Sequence, residues 1–186
     1  GLGRIDPDGK HLGINFYGEP GTGKTRCADA LANELGKGII DVCYSEIESK
    51  YVGETGKNIV QAFEAASRSG AVLFFDEADS ILGRRMTNVT QAADHGVNVA
   101  RAVMLKQLDA FDGVVIFATN LARNFDSAFV RRIPLHVEIP LPDEVARAQL
   151  LRLMIAEQVP GRDVLSWAEL ASCSVGLSGG DIKNAV

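Results

Sequence analysis

The chain has 186 residues, 46% of them hydrophobic, which is enough for one medium domain with a buried core and a small appendage. Its net charge of −5 does not favour non-specific binding to nucleic acid, although a local basic patch would be hidden in that sum. No run approaches the roughly 18 apolar residues of a membrane span, and Gly1-Leu2-Gly3-Arg4 lacks a signal-peptide profile, so a soluble cytoplasmic protein is expected.

The first apolar run, residues 13–17, reads as a strand, and G-E-P-G-T-G-K-T, Gly18 to Thr25, follows it directly. That string meets the pattern G-x-x-x-x-G-K-[ST] at each required position and leads into helix-like residues 26–35. Glycines let successive backbone N–H groups curl around a polyphosphate, a lysine neutralises its outer charge, and a threonine hydroxyl can reach Mg²⁺. The expected binding residues for a nucleoside triphosphate are therefore Glu19, Pro20, Gly21, Thr22, Gly23, Lys24, Thr25 and Arg26, with Lys24 also in a catalytic role.

A second strand is expected over 38–43, then Lys50-Tyr51-Val52-Gly53, then a helix over 56–68. The third strand, 71–75, delivers Asp76 and Glu77 at its carboxyl end, where open α/β sheets bind ligands. Asp76 is expected to hold Mg²⁺ together with Thr25, and Glu77 to polarise an attacking water; Asp79 is expected to cap the helix that follows. Residues 82–97 are polar and weakly patterned and read as a mobile loop carrying Arg84, Arg85 and His95, with no metal role for the histidine. A helix over 98–111 carries Arg101, expected on a solvated face. The fourth strand, 114–118, leads to Asn120, a candidate for orienting the water or sensing the terminal phosphate.

A fifth strand over 135–139 completes the series, and most of these runs lack polar alternation, as in a parallel sheet covered on both faces. After Pro140-Leu141-Pro142 the pattern turns helical: 143–157 with Asp143 as N-cap, 166–173, and 178–186. The boundary is placed at Pro142, giving an α/β domain over 1–142 and a helical element over 143–186. The last helical signal runs to Val186 without a C-cap, and the expectation is of a segment excised from a longer chain. Cys27, Cys43 and Cys173 lack metal-ligand spacing and are expected to be reduced and buried.

Taken in order, G-E-P-G-T-G-K-T, F-F-D-E-A-D at 74–79, A-T-N at 118–120, F-D-S-A-F-V-R-R at 125–132, I-P-L-P-D at 139–143 and G-L-S-G-G-D-I at 176–182 resemble the AAA ATPases. The style is closest to the katanin, spastin and sporulation-type bacterial branch. The resemblance implies a P-loop NTPase fold: five parallel strands in order 5-1-4-3-2 with flanking helices, followed by a small helical lid. It also implies Mg²⁺-dependent ATP hydrolysis in a hexameric ring of identical subunits, acting on a protein or peptide substrate. Arg131 and Arg132 match the adjacent arginines that reach the nucleotide of a neighbouring subunit, and Ile133-Pro134 departs from the residues common after that pair. Lys50, Tyr51 and Val52 resemble a pore loop facing the ring's channel, with the 84–95 loop as a second. The alternative to a solvated face for Arg101 is an approach to a neighbouring subunit's pore loop or nucleotide. Gly179 lies where a lid helix would approach the nucleotide. Two other readings stay open: a nucleic-acid-associated AAA+ motor, to which Asp76-Glu77-Ala78-Asp79 gives superficial appeal, and an ATP-gated scaffold with little turnover.

Overall fold

The computed structural model describes residues 11–43, 54–83, 92–120 and 125–186, the side chains of 92–95 excepted. Lys50, Tyr51, Val52, Arg84, Arg85 and the His95 side chain, singled out above, lie outside the described residues. Contacts group the chain into two units, one of residues 1–17 and 25–137, the other of residues 18–24 and 138–186.

The first unit is built on a parallel sheet of β1 (Leu12–Tyr17), β2 (Ile39–Cys43), β3 (Val72–Asp76), β4 (Val114–Thr119) and β5 (Leu135–Glu138), in order β2-β3-β4-β1-β5. This is the expected order, read from the other edge. Its crossovers are α1 (Lys24–Glu34), α2 (Glu54–Ser69) and α4 (Ala92–Ala110), with the short helices α3 (Asp79–Leu82) and α5 (Ser127–Val130) between. Helix α5 has no counterpart among the expected elements, and α4 starts six residues before the expected 98, because Asp94, Gly96 and Asn98 mask the helical periodicity there.

Register explains the core. Val42, Phe75 and Phe117 form one row across β2, β3 and β4, and the Phe75 and Phe117 rings stack at 5.4 Å. Onto this face α2 brings Ile59, Phe63 and Ala66, and α4 brings Ala100, Met104 and Leu108, each set at helical spacing. All of these side chains are buried, and each large one contributes about 1.5–3 kcal/mol by leaving water. The next row, Ile14, Ile116 and Phe74, faces the opposite side of the sheet by strand alternation. One polar residue interrupts the first row: Asn15, paired with Phe117 across β1 and β4, is fully buried.

The pairings Cys43↔Asp76 and Tyr17↔Thr119 bring the carboxyl ends of four strands to one edge. Helix α1 stops at Gly36, where Lys37 N–H reaches Ala32 O and Gly36 N–H reaches Asn33 O. That close sends the chain straight back into β2. The cysteines are free, but Cys27 and Cys43 are only half-buried and Cys173 is exposed, so the expectation of buried thiols does not hold.

The second unit carries α6 (Glu144–Met154), a 3₁₀ turn at Arg162–Val164, α7 (Trp167–Cys173) and α8 (Gly179–Ala185). Asp143 caps α6 as expected, accepting from Ala146 N–H at 2.8 Å, but the helix ends at Met154, earlier than read. Arg147 is buried between α6 and α7, donating to Ala171 O and Pro142 O. Among the described residues no helix is long and apolar enough to cross a membrane.

Candidate functional site

The phosphate-loop residues 18–24 belong to the second unit and are held by it. Gly18, Gly21 and Gly23 all have positive φ, so the loop turns in a way that side-chain-bearing residues resist. Gly21 is required twice: its φ is 75°, and a Cβ there would stand 2.5 Å from Ser178 Oγ. Gly180 N–H donates to Gly21 O at 2.9 Å, so the start of α8 rests directly on the loop, with Gly179 3.3 Å from the same carbonyl at the position of its absent Cβ. Ser178 and Asp181 form a capping box across that helix start. The Ser178 hydroxyl beside Asp181 holds its carboxyl below the usual range. Lys24 is buried and its Nζ donates to Gly18 O and Glu19 O at 2.9 Å each, while Thr22 Oγ1 donates to Glu19 O. Pro20 and Arg26 are placed on the loop and on the first turn of α1, with the Arg26 side chain exposed.

In the first unit, Thr25 Oγ1 donates to Asp76 Oδ2 at 3.0 Å, joining the start of α1 to the carboxyl end of β3. Asp76 Oδ1 accepts the N–H of Glu77 at 2.8 Å, so both carboxylate oxygens of Asp76 are engaged. Glu77 is exposed and takes a φ of 52°, the one positive-φ residue other than glycine among the described residues. Such a conformation costs about 1–3 kcal/mol and survives where its surroundings impose it. Here Asp76 holds its N–H from one side and Cys43 Sγ, at 3.7 Å, donates to Glu77 Oε2 from the end of β2.

Asp79 does not cap α3, whose N-cap is Ala78 without a side-chain bond. Its carboxylate instead accepts from the hydroxyl of buried Thr119 and, at 2.9 Å, from Asn120 N–H. Ala78 N–H reaches Ala118 O at 3.0 Å beside them. The end of β4, and with it the exposed Asn120, is thus pinned to the turn that follows Glu77. The sequence held the signal in Thr119, a hydroxyl residue that ends an otherwise apolar strand. Arg101 is not on a solvated face: it is buried, with Nε donating to Ile81 O at 3.0 Å and Nη2 to Ser80 O at 2.6 Å, closing α3.

The two adjacent arginines have different surroundings. Arg132 makes a bidentate pair with Asp109 of α4, at 2.7 and 2.8 Å, and gives Nη1 to Ala128 O at 3.0 Å. The guanidinium holds the Asp109 carboxyl below its usual range, and Asp109 in turn pushes Arg132 up. Arg131 is exposed, and its Nε makes one long contact of 3.4 Å to Ser127 O. On β5, His136 is exposed overall but lies 3.4 Å from the Asn15 amide and 5.3 Å, centroid to centroid, from Phe125; partial desolvation of its ring lowers its pKa against a hydrogen bond to the Ile133 backbone. Among the described residues no cluster of three or more His, Cys, Asp or Glu forms a metal cage.

Comparison with known proteins gives these features a lineage. Residues 14–141 match the family described as "ATPase family associated with various cellular activities (AAA)". The chain is 36% identical over 187 residues to a 26S proteasome regulatory subunit 7 homolog of Schizosaccharomyces pombe, covering 97% of this chain and 42% of the relative. It is 35% identical over 178 residues to a proteasome-activating nucleotidase of Methanopyrus kandleri, covering 92% and 40%. A 26S proteasome regulatory subunit 10B of Dictyostelium discoideum is also 35% identical, over 179 residues, covering 92% and 45%. The chain thus spans about two fifths of the length of the curated relatives it matches. These relatives bear proteasomal names, and the katanin- and spastin-like style of the motifs finds no support in them.

Proposed function

The chain belongs to the AAA family of ATPases, and from that premise we propose that it is the hydrolytic segment of a ring motor that unfolds or remodels a protein partner, using Mg²⁺ and ATP. The observation that carries this reading is the bond from Thr25 to Asp76, which joins the end of the phosphate-loop motif to an acidic strand end with Glu77 beside it. The donors suit the cofactor. Thr25 and Asp76 offer only oxygens, as Mg²⁺ prefers, and a Cβ at Gly23 would meet nothing within 4 Å, leaving that side of the loop open.

Lys24 and the amides of residues 19–26 would hold the phosphates, with Gly179 on the lid side, and Thr25 and Asp76 would hold the metal. Bound there, ATP would supply the phosphoanhydride bond that breaks, releasing ADP and phosphate, and Mg²⁺ the neutralising charge that phosphoryl transfer needs. Glu77 takes the proton of the attacking water as general base. Asn120, fixed by Asp79, orients that water. Lys24 draws charge off the transferred group, and Arg131 and Arg132 serve the site of a neighbouring subunit.

Lys50, Tyr51 and Val52 are proposed to grip an extended polypeptide, the aromatic ring packing on side chains with little sequence preference. Six identical subunits are the proposed ring, and residues 143–186 its lid. The names of the relatives, regulatory subunits of a proteasome and a proteasome-activating nucleotidase, favour protein handling over a nucleic-acid motor. Within the family they favour the proteasomal side over the katanin and spastin branch.

The experiment is ATP hydrolysis per subunit across protein concentration, with unfolded protein, DNA or RNA added in separate arms. We expect a specific rate that climbs with concentration and responds to unfolded protein. Glu77→Gln should keep ATP binding and lose turnover, whereas Lys24→Ala should lose binding. Tight binding by Lys24→Ala would sink the loop assignment, and stimulation by nucleic acid alone would replace the protein motor with the nucleic-acid one.

A further inference from the structure

We infer that the two adjacent arginines divide the work: Arg131 is the group offered to a neighbouring subunit, and Arg132 is a positioning residue, anchored within its own chain by Asp109. The inference rests on the proposed shared site and deepens it by assigning which side chain crosses.

The residues around Arg132 are tied down from four directions. Its guanidinium has Asp109 on both Nε and Nη2, and Nη1 is spent on Ala128 O. A fork-to-fork ion pair uses the fixed geometry of both groups, so rotating Arg132 away would break two charge-assisted bonds at once. Its N–H donates to Phe129 O at 2.9 Å, closing α5. Its carbonyl accepts at 2.9 Å from Nε2 of His11, whose ring must therefore carry the proton on that nitrogen. Finally, β1 runs against this backbone so closely that a Cβ on Gly13 would stand 2.7 Å from Arg132 O and 3.0 Å from the Ile133 Cα. Ile133, 1% exposed, closes the clamp from inside the core.

Arg131 stands next to this anchor and shares none of it. It is exposed, makes no ion pair among the described residues, and would surrender only a 3.4 Å contact to move. A group that must reach a phosphate on another chain has to be free to extend yet start from a fixed base. Arg131 has both properties, and Arg132 with Asp109, His11 and Gly13 provides the base. Identical residue types thus acquire different roles from a partner 23 positions earlier in the chain.

The test is steady-state hydrolysis by the assembled protein at saturating subunit concentration, separating kcat from KM for ATP. Arg131→Ala should lower kcat about 10³-fold with KM changed less than about threefold, and Arg131→Lys should not restore it. Arg132→Ala and Asp109→Asn should each lower kcat about tenfold, and the double variant no further, because both remove one pair. The charge swap Asp109→Arg with Arg132→Asp should recover kcat to within about threefold of the parent. A positional pair tolerates exchange, whereas a phosphate contact by Arg132 does not.

The division of labour is overturned if the swap loses as much as Arg131→Ala does. It is equally overturned if Arg132→Ala costs about 10³-fold while Asp109→Asn costs nothing. Those results would leave a shared site standing with Arg132 as its donor. A specific rate independent of concentration and untouched by any arginine variant would instead remove the shared site, and this inference with it.

Discussion

At position 77 glycine should be more stable than alanine, with both variants inactive, and the size of the difference follows from the backbone. Glu77 has φ 52°. For an L-residue that conformation costs about 1–2 kcal/mol, because Cβ crowds the following carbonyl oxygen. Glycine has no Cβ and avoids the cost, but it loses about 0.4–1 kcal/mol more conformational entropy on folding than alanine. Comparing Glu77→Gly with Glu77→Ala isolates this balance. Both variants delete the carboxylate and its contact with Cys43 Sγ, and both keep the N–H that Asp76 Oδ1 accepts. The net difference should be about 1 kcal/mol in favour of glycine, which for a chain of this size raises the melting temperature by about 2–4 °C. The assay is calorimetric melting of the two variants without nucleotide, with hydrolysis measured beside it and expected to fall at least about 10²-fold in both. An alanine variant as stable as the glycine variant, or more so, would refute the claim that strain is held at this position.

The clamp behind the arginine pair gives a second expectation. Gly13→Ala should destabilise by about 1–3 kcal/mol, because the atoms its Cβ meets are backbone and cannot rotate aside; chemical denaturation checks it. Asp79→Ala removes the acceptor of the Thr119 hydroxyl and the Asn120 N–H, costing about 1.5–3 kcal/mol. Its turnover should fall by more than its ATP affinity, measured as kcat against Kd. His136 gives a pH signature. Partial desolvation lowers its folded pKa, so the unfolded chain binds the proton first, and stability that is intact above about pH 6.5 is lost as pH falls through the folded value. Between about pH 6.5 and 5, above the range where carboxylates titrate, the decline should be shallower in His136→Gln, and equal slopes would refute it.

The parallel sheet was legible because its strands are continuous apolar runs separated by helical spacing, a pattern that local sequence carries unaided. The phosphate loop was legible for a related reason: its chemistry depends on backbone turns made by neighbouring glycines. What sequence spacing could not carry were ties made by tertiary approach. Asp79 has the composition and place of a helix cap, and only the neighbouring β4 offers it the better donors Thr119 and Asn120. Arg101 on a partly polar helix reads as a solvated cation until the carbonyls that end α3 arrive above it. Asn15 vanished inside an apolar run, and its burial beside His136 depends on β5 lying next to β1.

The arginine pair is the sharpest instance of the same physics. In sequence Arg131 and Arg132 are interchangeable, and no periodicity distinguishes them because neither strand nor helix continues through both. The distinction arises because α4 delivers Asp109 to one guanidinium and not to the other, and because β1 offers a glycine where the backbone of Arg132 must pass. A surface ion pair of this kind contributes little to stability by itself, at most about 1 kcal/mol. Its larger effect is on conformational freedom: a bidentate contact restricts the one guanidinium that forms it, while the adjacent one keeps a single 3.4 Å contact to Ser127 O. Under the proposed division of labour, the Asp109–Arg132 pair bears on function by deciding which arginine extends toward a neighbouring chain, a role that an inventory of motifs could not have assigned.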